Sequence, residues 1–241
     1  MSTLLLVRHG QASFGATNYD NLSDLGIAQS KKLGEYWAAM GRKFDAVFTG
    51  AQERQRQSLK AVQEACRKNG LSFPDPSGVM EEFNEYDSGG LMTIFFPKLV
   101  ERNPRVQEIV KKSTGLGQNT PAGRKSFQEL FEIIVDNWVR GEIEDPGVES
   151  WNSFRGRVEK GIVKVTSAYP SGKSVVIFTS GGPIAAALRY ALSTPDEVAI
   201  NLSWMIRNAS ITEFMYNARK FTLTGFNMTP QFRDDAMITY R

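Results

Sequence analysis

The chain has 241 residues, 41% of them hydrophobic and 23% charged, which is enough to bury a core without disulfide or metal staples. Its formal net charge is +3, with Lys and Arg interleaved among Asp and Glu, so charge gives no warrant for a nucleic-acid partner. The single cysteine, Cys66, sits in an amphipathic run and reads as a small buried apolar residue in a reducing compartment. Leu4 to Val7 is too short an apolar run, and lacks the basic lead-in, for a secretory signal. No later stretch reaches membrane-spanning length. The expected location is the cytoplasm, with no membrane partner.

Thr3 to Val7 reads as a buried strand that runs straight into Arg8-His9-Gly10. Ser23 is a helix cap, and Leu25, Ala28, Leu33, Trp37 and Met40 then recur at helical spacing until Gly41. Ala46 to Thr49 is a second strand. A helix follows from about Gln52 to Lys68, with Leu59, Val62, Ala65 and Cys66 on one face and Gly70 as its stop. Residues from about Gly89 to Asp145 break this rhythm with helical fragments, Phe95 to Lys112 and Ser126 to Arg140, and read as an inserted cap.

Beyond the insertion a helix is expected from about Glu149 to Tyr169, then a strand from Ser174 to Thr179. That strand ends at Ser180-Gly181-Gly182, and Pro183 suits the first turn of the next helix. Thr194-Pro195-Asp196-Glu197 has the spacing of a capping box. Ser210 to Tyr216 and Lys220 to Asn227 read as a hairpin around Asn217-Ala218. The order predicts an α/β fold, three α/β/α layers around a mostly parallel central sheet, as one domain over 1–241 with a helical cap at about 89–145. Ligands of open parallel sheets bind beyond the carboxyl ends of the strands, where both glycine loops fall.

Arg8-His9-Gly10 joins a guanidinium fork suited to phosphate, an imidazole able to act as a nucleophile near neutral pH, and a glycine that permits close backbone approach. Two further segments follow the next strands. One is Arg54-Gln55-Arg56-Gln57-Ser58, and the other is Asn84-Glu85-Tyr86-Asp87.

With these segments the chain resembles the histidine phosphatase superfamily, which includes phosphoglycerate mutases and small phosphatases. Leu4 to Gln11 is similar to its RHG strand, and Leu22-Ser23-Asp24-Leu25-Gly26 with Gln29 to its LTelGxxQa segment. Arg54 to Ser58 resembles its RAxQT motif, Asn84 to Asp87 its acidic segment, and Ser174 to Ala187 its vvvsHGGxi strand, loop and helix. Asn208-Ala209-Ser210-Ile211 resembles its NasI turn.

The resemblance implies His9 as the phosphoryl-accepting nucleophile and Glu85 as the acid that protonates the leaving oxygen. It also implies Arg8, Arg54, Ser180 and Gly181 as phosphate-binding residues. The implied function is hydrolysis of a phosphate monoester, a small phosphorylated substrate, through phosphohistidine, with transfer to a second acceptor, as in a mutase, left open. Asp87 reads as structural. No metal and no cofactor are expected, because one histidine and scattered carboxylates offer no ligand cluster.

The departure from the pattern is Ser180, which stands where the family has a second histidine; the chain's one histidine is His9. Serine can donate one hydrogen bond, and the amides of Gly181 and Gly182 at a helix start favour an anion. A phosphatase of reduced activity and a non-catalytic phospho-ligand binder both stay open. A serine hydrolase fits less well, since Phe178 occupies the position where Gly-x-Ser-x-Gly needs glycine. A nucleotide loop over 117–126 has the wrong spacing.

Overall fold

A computed structural model describes residues 1–13, 20–117 and 120–240, which divide into two compact units. The first joins Met1–Glu85 to Gly156–Arg241, and the second is Tyr86–Arg155. The run 117–126 lies partly outside the described residues. Its described end opens a helix.

In the first unit the strands are β1 (Ser2–Arg8), β2 (Ala46–Thr49), β3 (Gly78–Val79), β4 (Ser174–Thr179), β5 (Ile211–Tyr216) and β6 (Phe221–Met228). They form one sheet in the order β3-β2-β4-β1-β5-β6. β1, β2 and β3 join the ladder in parallel around β4, while β5 runs antiparallel to both β1 and β6. The sheet is mostly parallel, as the strand and helix order predicts. The hairpin turn is closed by Asn217, whose side chain accepts from the amides of Arg219 and Lys220 at 2.8 and 3.0 Å.

The helices are α1 (Asp24–Ala39), α2 (Glu53–Lys68), α3 (Ser88–Arg102), α4 (Pro104–Ser113), α5 (Pro121–Val139), α6 (Trp151–Ala168), α7 (Gly181–Leu192) and α8 (Asp196–Ser203). Side chains alternate across the strands. Leu5, Val7, Val47, Val176 and Phe178 share one buried cluster with Leu33 and Trp37 of α1 and Leu59, Val62 and Cys66 of α2. Each such side chain contributes roughly 1.5 to 3 kcal/mol by leaving water. Leu4, Leu6, Val175 and Ile177 take the alternate positions and are also buried. α7 packs on β1 and is buried from Gly181 to Leu188. Burial pushes the Cys66 thiol up to about 11, consistent with an inert core residue.

Ser23 caps α1, accepting from the Gly26 amide at 3.1 Å. Two expectations need correction. The helix expected over Phe95 to Lys112 is two helices, since Pro104 cannot continue a hydrogen-bond ladder and Asn103 instead caps α4, accepting from Arg105 and Val106. The capping box at Thr194 does not form. Pro195 is itself the residue before α8, so Thr194 lies one place too early, and its buried hydroxyl has no partner among the described residues.

In the second unit α5 packs against α3 and α4. Trp138 meets Tyr86 and Phe154 in tilted contacts and Trp151 edge to face, with ring centroids 4.9 to 5.7 Å apart, and its indole donates to the Glu149 carbonyl at 2.7 Å. Phe95 is a core residue of this unit, and Lys98 pairs with Asp145 at 2.7 Å. No helix among the described residues is long and apolar enough to cross a membrane.

Candidate active site

β1 ends at Arg8 and β4 at Thr179, and these two residues pair in register. The residues that follow, His9 and Ser180, therefore emerge side by side at the carboxyl end of the sheet. The backbone of His9 is fixed on both sides. Its N–H donates to the Thr179 carbonyl at 2.9 Å, while its carbonyl accepts from the Ala209 amide at 3.1 Å and the Asn208 side chain at 3.2 Å.

The glycine after it has a steric cause. A Cβ on Gly10 would collide with the backbone of Gly26, and a Cβ on Gly26 would strike that of Gln11. The two glycines let the RHG loop lie directly on the start of α1. Gln29 reinforces this, accepting from the Gln11 amide at 2.8 Å and donating to the Met237 carbonyl and the Thr239 hydroxyl. Ser58 ties the same loop to α2, accepting from the Gly10 amide at 2.9 Å and donating to the Arg54 carbonyl at 2.7 Å.

The imidazole of His9 is buried, with 6% exposure. Its Nδ1 lies 2.7 Å from the Gly10 carbonyl oxygen, which can only accept, so Nδ1 carries the proton. Its Nε2 lies 3.2 Å from Nε of Arg54, which can only donate, so Nε2 presents a lone pair. Burial, then the Arg54 charge and then the Arg8 charge hold the imidazole pKa well below its ordinary value. All three disfavour a second proton. His9 is thus a neutral imidazole with its unprotonated nitrogen facing a guanidinium.

Arg54 opens α2 and is itself buried. Its Nη1 donates to Asp20 Oδ1 at 2.6 Å, and Asp20 Oδ2 accepts from the Glu53 amide at 2.8 Å, satisfying one orphan donor of the α2 N-terminus. Arg8 donates through Nη1 to the Ile206 carbonyl. Its guanidinium lies beside Gly181, since a Cβ there would stand 4.0 Å from Arg8 Cζ.

Glu85 meets the same helix start. The Gly182 amide lies 3.1 Å from both of its carboxylate oxygens. Its position is set by its neighbours: its own amide donates to Gln52 Oε1 at 3.0 Å, and Asn84 accepts from the Ala51 amide at 2.6 Å. Arg157 donates to the carbonyls of Glu82 and Asn84, both at 2.9 Å. Ser180 is fully buried, makes no cap bond to α7, and accepts from Nε2 of Gln55 at 2.8 Å.

The six residues singled out from the sequence, Arg8, His9, Arg54, Glu85, Ser180 and Gly181, are therefore brought together around the ends of β1 and β4. Asp20 and Gln55 were not anticipated. Gln55 carries a signal in retrospect, because the RAxQT pattern has alanine at its position. Asp20 carries none. Two guanidiniums, a neutral imidazole, a carboxylate and a helix N-terminus form a surround suited to a phosphoryl group. Among the described residues no cluster of His, Cys, Asp and Glu has the makings of a metal site.

Comparison with known proteins agrees with this geometry. The family model of the histidine phosphatase superfamily (branch 1) matches residues 4–132 and 115–229. A 2,3-bisphosphoglycerate-dependent phosphoglycerate mutase of Azorhizobium caulinodans is 33% identical over 95 residues, 36% of this chain and 44% of that protein. The matched stretch is thus less than half of that relative's length. Its counterpart in Caulobacter vibrioides is 24% identical over 212 residues, 84% of this chain and 85% of its own. Among solved structures, a phosphoserine phosphatase of Entamoeba histolytica in complex with phosphoserine superposes with a TM-score of 0.63 at 17% identity, covering 96% of this chain and 99% of its own.

Proposed function

Because the chain belongs to the histidine phosphatase superfamily, we propose that it hydrolyses a small phosphate monoester through phosphohistidine at His9, at a rate reduced by Ser180 in the second imidazole's place. The observation that carries this reading is the His9 tautomer, with Nδ1–H held by the Gly10 carbonyl and the Nε2 lone pair directed to the guanidinium of Arg54.

Arg54 now donates to the nucleophilic lone pair itself. Phosphoryl oxygens are stronger acceptors, and Arg54 and Arg8 turn to them when substrate binds. The Nε2 lone pair then attacks phosphorus in line as the bond from phosphorus to the leaving oxygen breaks, and Glu85, which enters this step as the carboxylic acid because the bound phosphate's negative charge favours its protonation, delivers its proton to that oxygen. In the second step water attacks the phosphohistidine. Glu85 takes the water proton, the P–N bond breaks, the lone pair returns to Nε2 and inorganic phosphate leaves. The amides of Gly181 and Gly182 and the two guanidiniums stabilise charge on the equatorial oxygens. Loss of one such donor, here an imidazole, typically costs ~3 to 4 kcal/mol, or roughly a hundred- to a thousand-fold in rate.

Turnover of p-nitrophenyl phosphate tests this reading, together with trapping of acid-labile, base-stable phosphoprotein. His9→Ala should abolish both. Substantial residual turnover in that variant would remove His9 from the mechanism. A second reading, a phospho-ligand binder without turnover, is favoured by the complete burial of Ser180 and Gln55. It predicts phosphate binding by the wild type with no trapped phosphoprotein.

A further inference from the structure

Gln55 has no exposed surface and its carboxamide is fully engaged. Nε2 lies 2.8 Å from Ser180 Oγ, 3.1 Å from Gln52 Oε1 and 3.3 Å from the Phe83 carbonyl oxygen. A carbonyl oxygen can only accept, so the side facing Phe83 and Ser180 must be the amide nitrogen and not its oxygen. Ser180 Oγ is therefore an acceptor toward Gln55, and its own proton must go elsewhere. Among the described residues that proton has no acceptor; Ser180 also makes no side-chain cap bond to α7, so its second lone pair is not taken up by the helix either.

Buried hydroxyl protons are normally satisfied, and one left over beside a cationic site calls for an anionic oxygen. Ser180 follows β4 next to His9, and Gly181 lies against the Arg8 guanidinium. We infer that Gln55 is a positioning residue that fixes the Ser180 hydroxyl as a one-way donor to the phosphoryl oxygens. The pair does jointly what the family assigns to one imidazole. This rests on the proposed phosphoryl site but not on turnover.

The test is a double-mutant cycle on vanadate affinity, and on kcat and KM for p-nitrophenyl phosphate, with thermal stability measured for every variant. Ser180→Ala removes the donor, and Gln55→Met removes its orientation at similar volume. Each should weaken vanadate binding about 10- to 100-fold, the range for a hydrogen bond to a charged group. In the Ser180→Ala background, Gln55→Met should cost nothing further, because Gln55 acts only through Ser180. Equal losses in both backgrounds would make Gln55 a structural brace and overturn the inference, as would no loss in either single variant.

Should Gln55→Met fail to fold, Gln55→Glu replaces it. The carboxylate accepts the Ser180 proton, turns the hydroxyl lone pairs toward the anion, and should weaken vanadate binding more with Ser180 present than with Ser180→Ala. If the wild type binds vanadate with this coupling yet turns nothing over, the inference stands and the hydrolase reading falls. If the wild type binds neither vanadate nor inorganic phosphate, both fall.

Discussion

Restoring the second imidazole is the sharpest perturbation of this site, and the structure predicts that it fails as a single change. Ser180 has no exposed surface, and the Gln55 carboxamide lies 2.8 Å from its hydroxyl. In Ser180→His the ring must enter space that Gln55 already fills. Overpacking of this kind costs ~1 to 3 kcal/mol, which for a chain of this size lowers the melting temperature by roughly 2 to 12 °C. Truncation of Gln55 to alanine removes about as many heavy atoms as the imidazole adds, and alanine suits α2. The Phe83 carbonyl keeps its bond from Thr179 Oγ1 at 2.7 Å. The double variant Gln55→Ala, Ser180→His should therefore recover most of the stability and set a strong donor where charge accumulates. Turnover of p-nitrophenyl phosphate should rise roughly a hundred- to a thousand-fold over wild type, the usual worth of one such donor. Differential scanning calorimetry beside steady-state kinetics reads both effects. A single variant as stable as wild type with a full gain in rate would show that Gln55 does not fill the second-histidine site. A stable double variant with unchanged rate and unchanged vanadate affinity would show that Ser180 does not face the phosphate.

Four further outcomes follow from the same geometry. The His9 pKa is depressed by burial and by Arg54 and Arg8, so the acid limb of kcat/KM that His9 sets should lie well below pH 6.5, and a limb at pH 6.5 in a pH-rate profile would contradict the tautomer derived above. The same depression makes the unfolded chain bind more protons than the folded one below pH 6.5, so His9 lowers stability as pH falls from there toward its folded pKa and has no pH effect above; urea melts should show this slope in wild type and lose it in His9→Gln. Asp20→Asn removes a carboxylate from Arg54, and because the Asp20 side chain is 38% exposed the screened gain in vanadate affinity should be only about two- to fivefold at low salt and should fade at high salt; weaker binding would mean that Asp20 serves chiefly to hold Arg54 in place. Gly10→Ala drives a methyl group into the Gly26 backbone and should cost ~3 kcal/mol, the upper end of the overpacking range, visible as a lower melting temperature, whereas an unchanged melt would deny the close approach of the two loops.

What the sequence reveals and what it hides separate by the range of the interaction. β1 and its RHG loop are legible because an apolar run stops at charged and glycine residues, and Ser23 because a cap acts within three residues of itself. The break at Pro104 was also local, and it was missed because the apolar spacing of Val106 and Ile109 continues across it. Thr194 shows the opposite error, a local motif displaced by one residue when proline took the cap position. Asp20 and Gln55 escape for another reason. Their decisive partners, Arg54 and Ser180, lie 34 and 125 positions away, and neither spacing nor composition carries that information.

The pairing of Gln55 with Ser180 also bears on how the departure from the family pattern should be judged. A histidine simply lost to serine in a packed interior would leave a cavity and its penalty. Here the Gln55 carboxamide packs beside the serine, its amide nitrogen within hydrogen-bond distance of Ser180, Phe83 and Gln52 and sharing two protons among them, with neither Gln55 nor Ser180 exposed. The neutral His9, both guanidiniums and Glu85 lie around it. The physical economy of the site is that of a pocket with a neutral hydroxyl at Ser180 and its positive charge carried by Arg8 and Arg54. Such a site should depend more steeply on each arginine than one with a second imidazole, and charge-removing substitutions there should outweigh any change at Ser180.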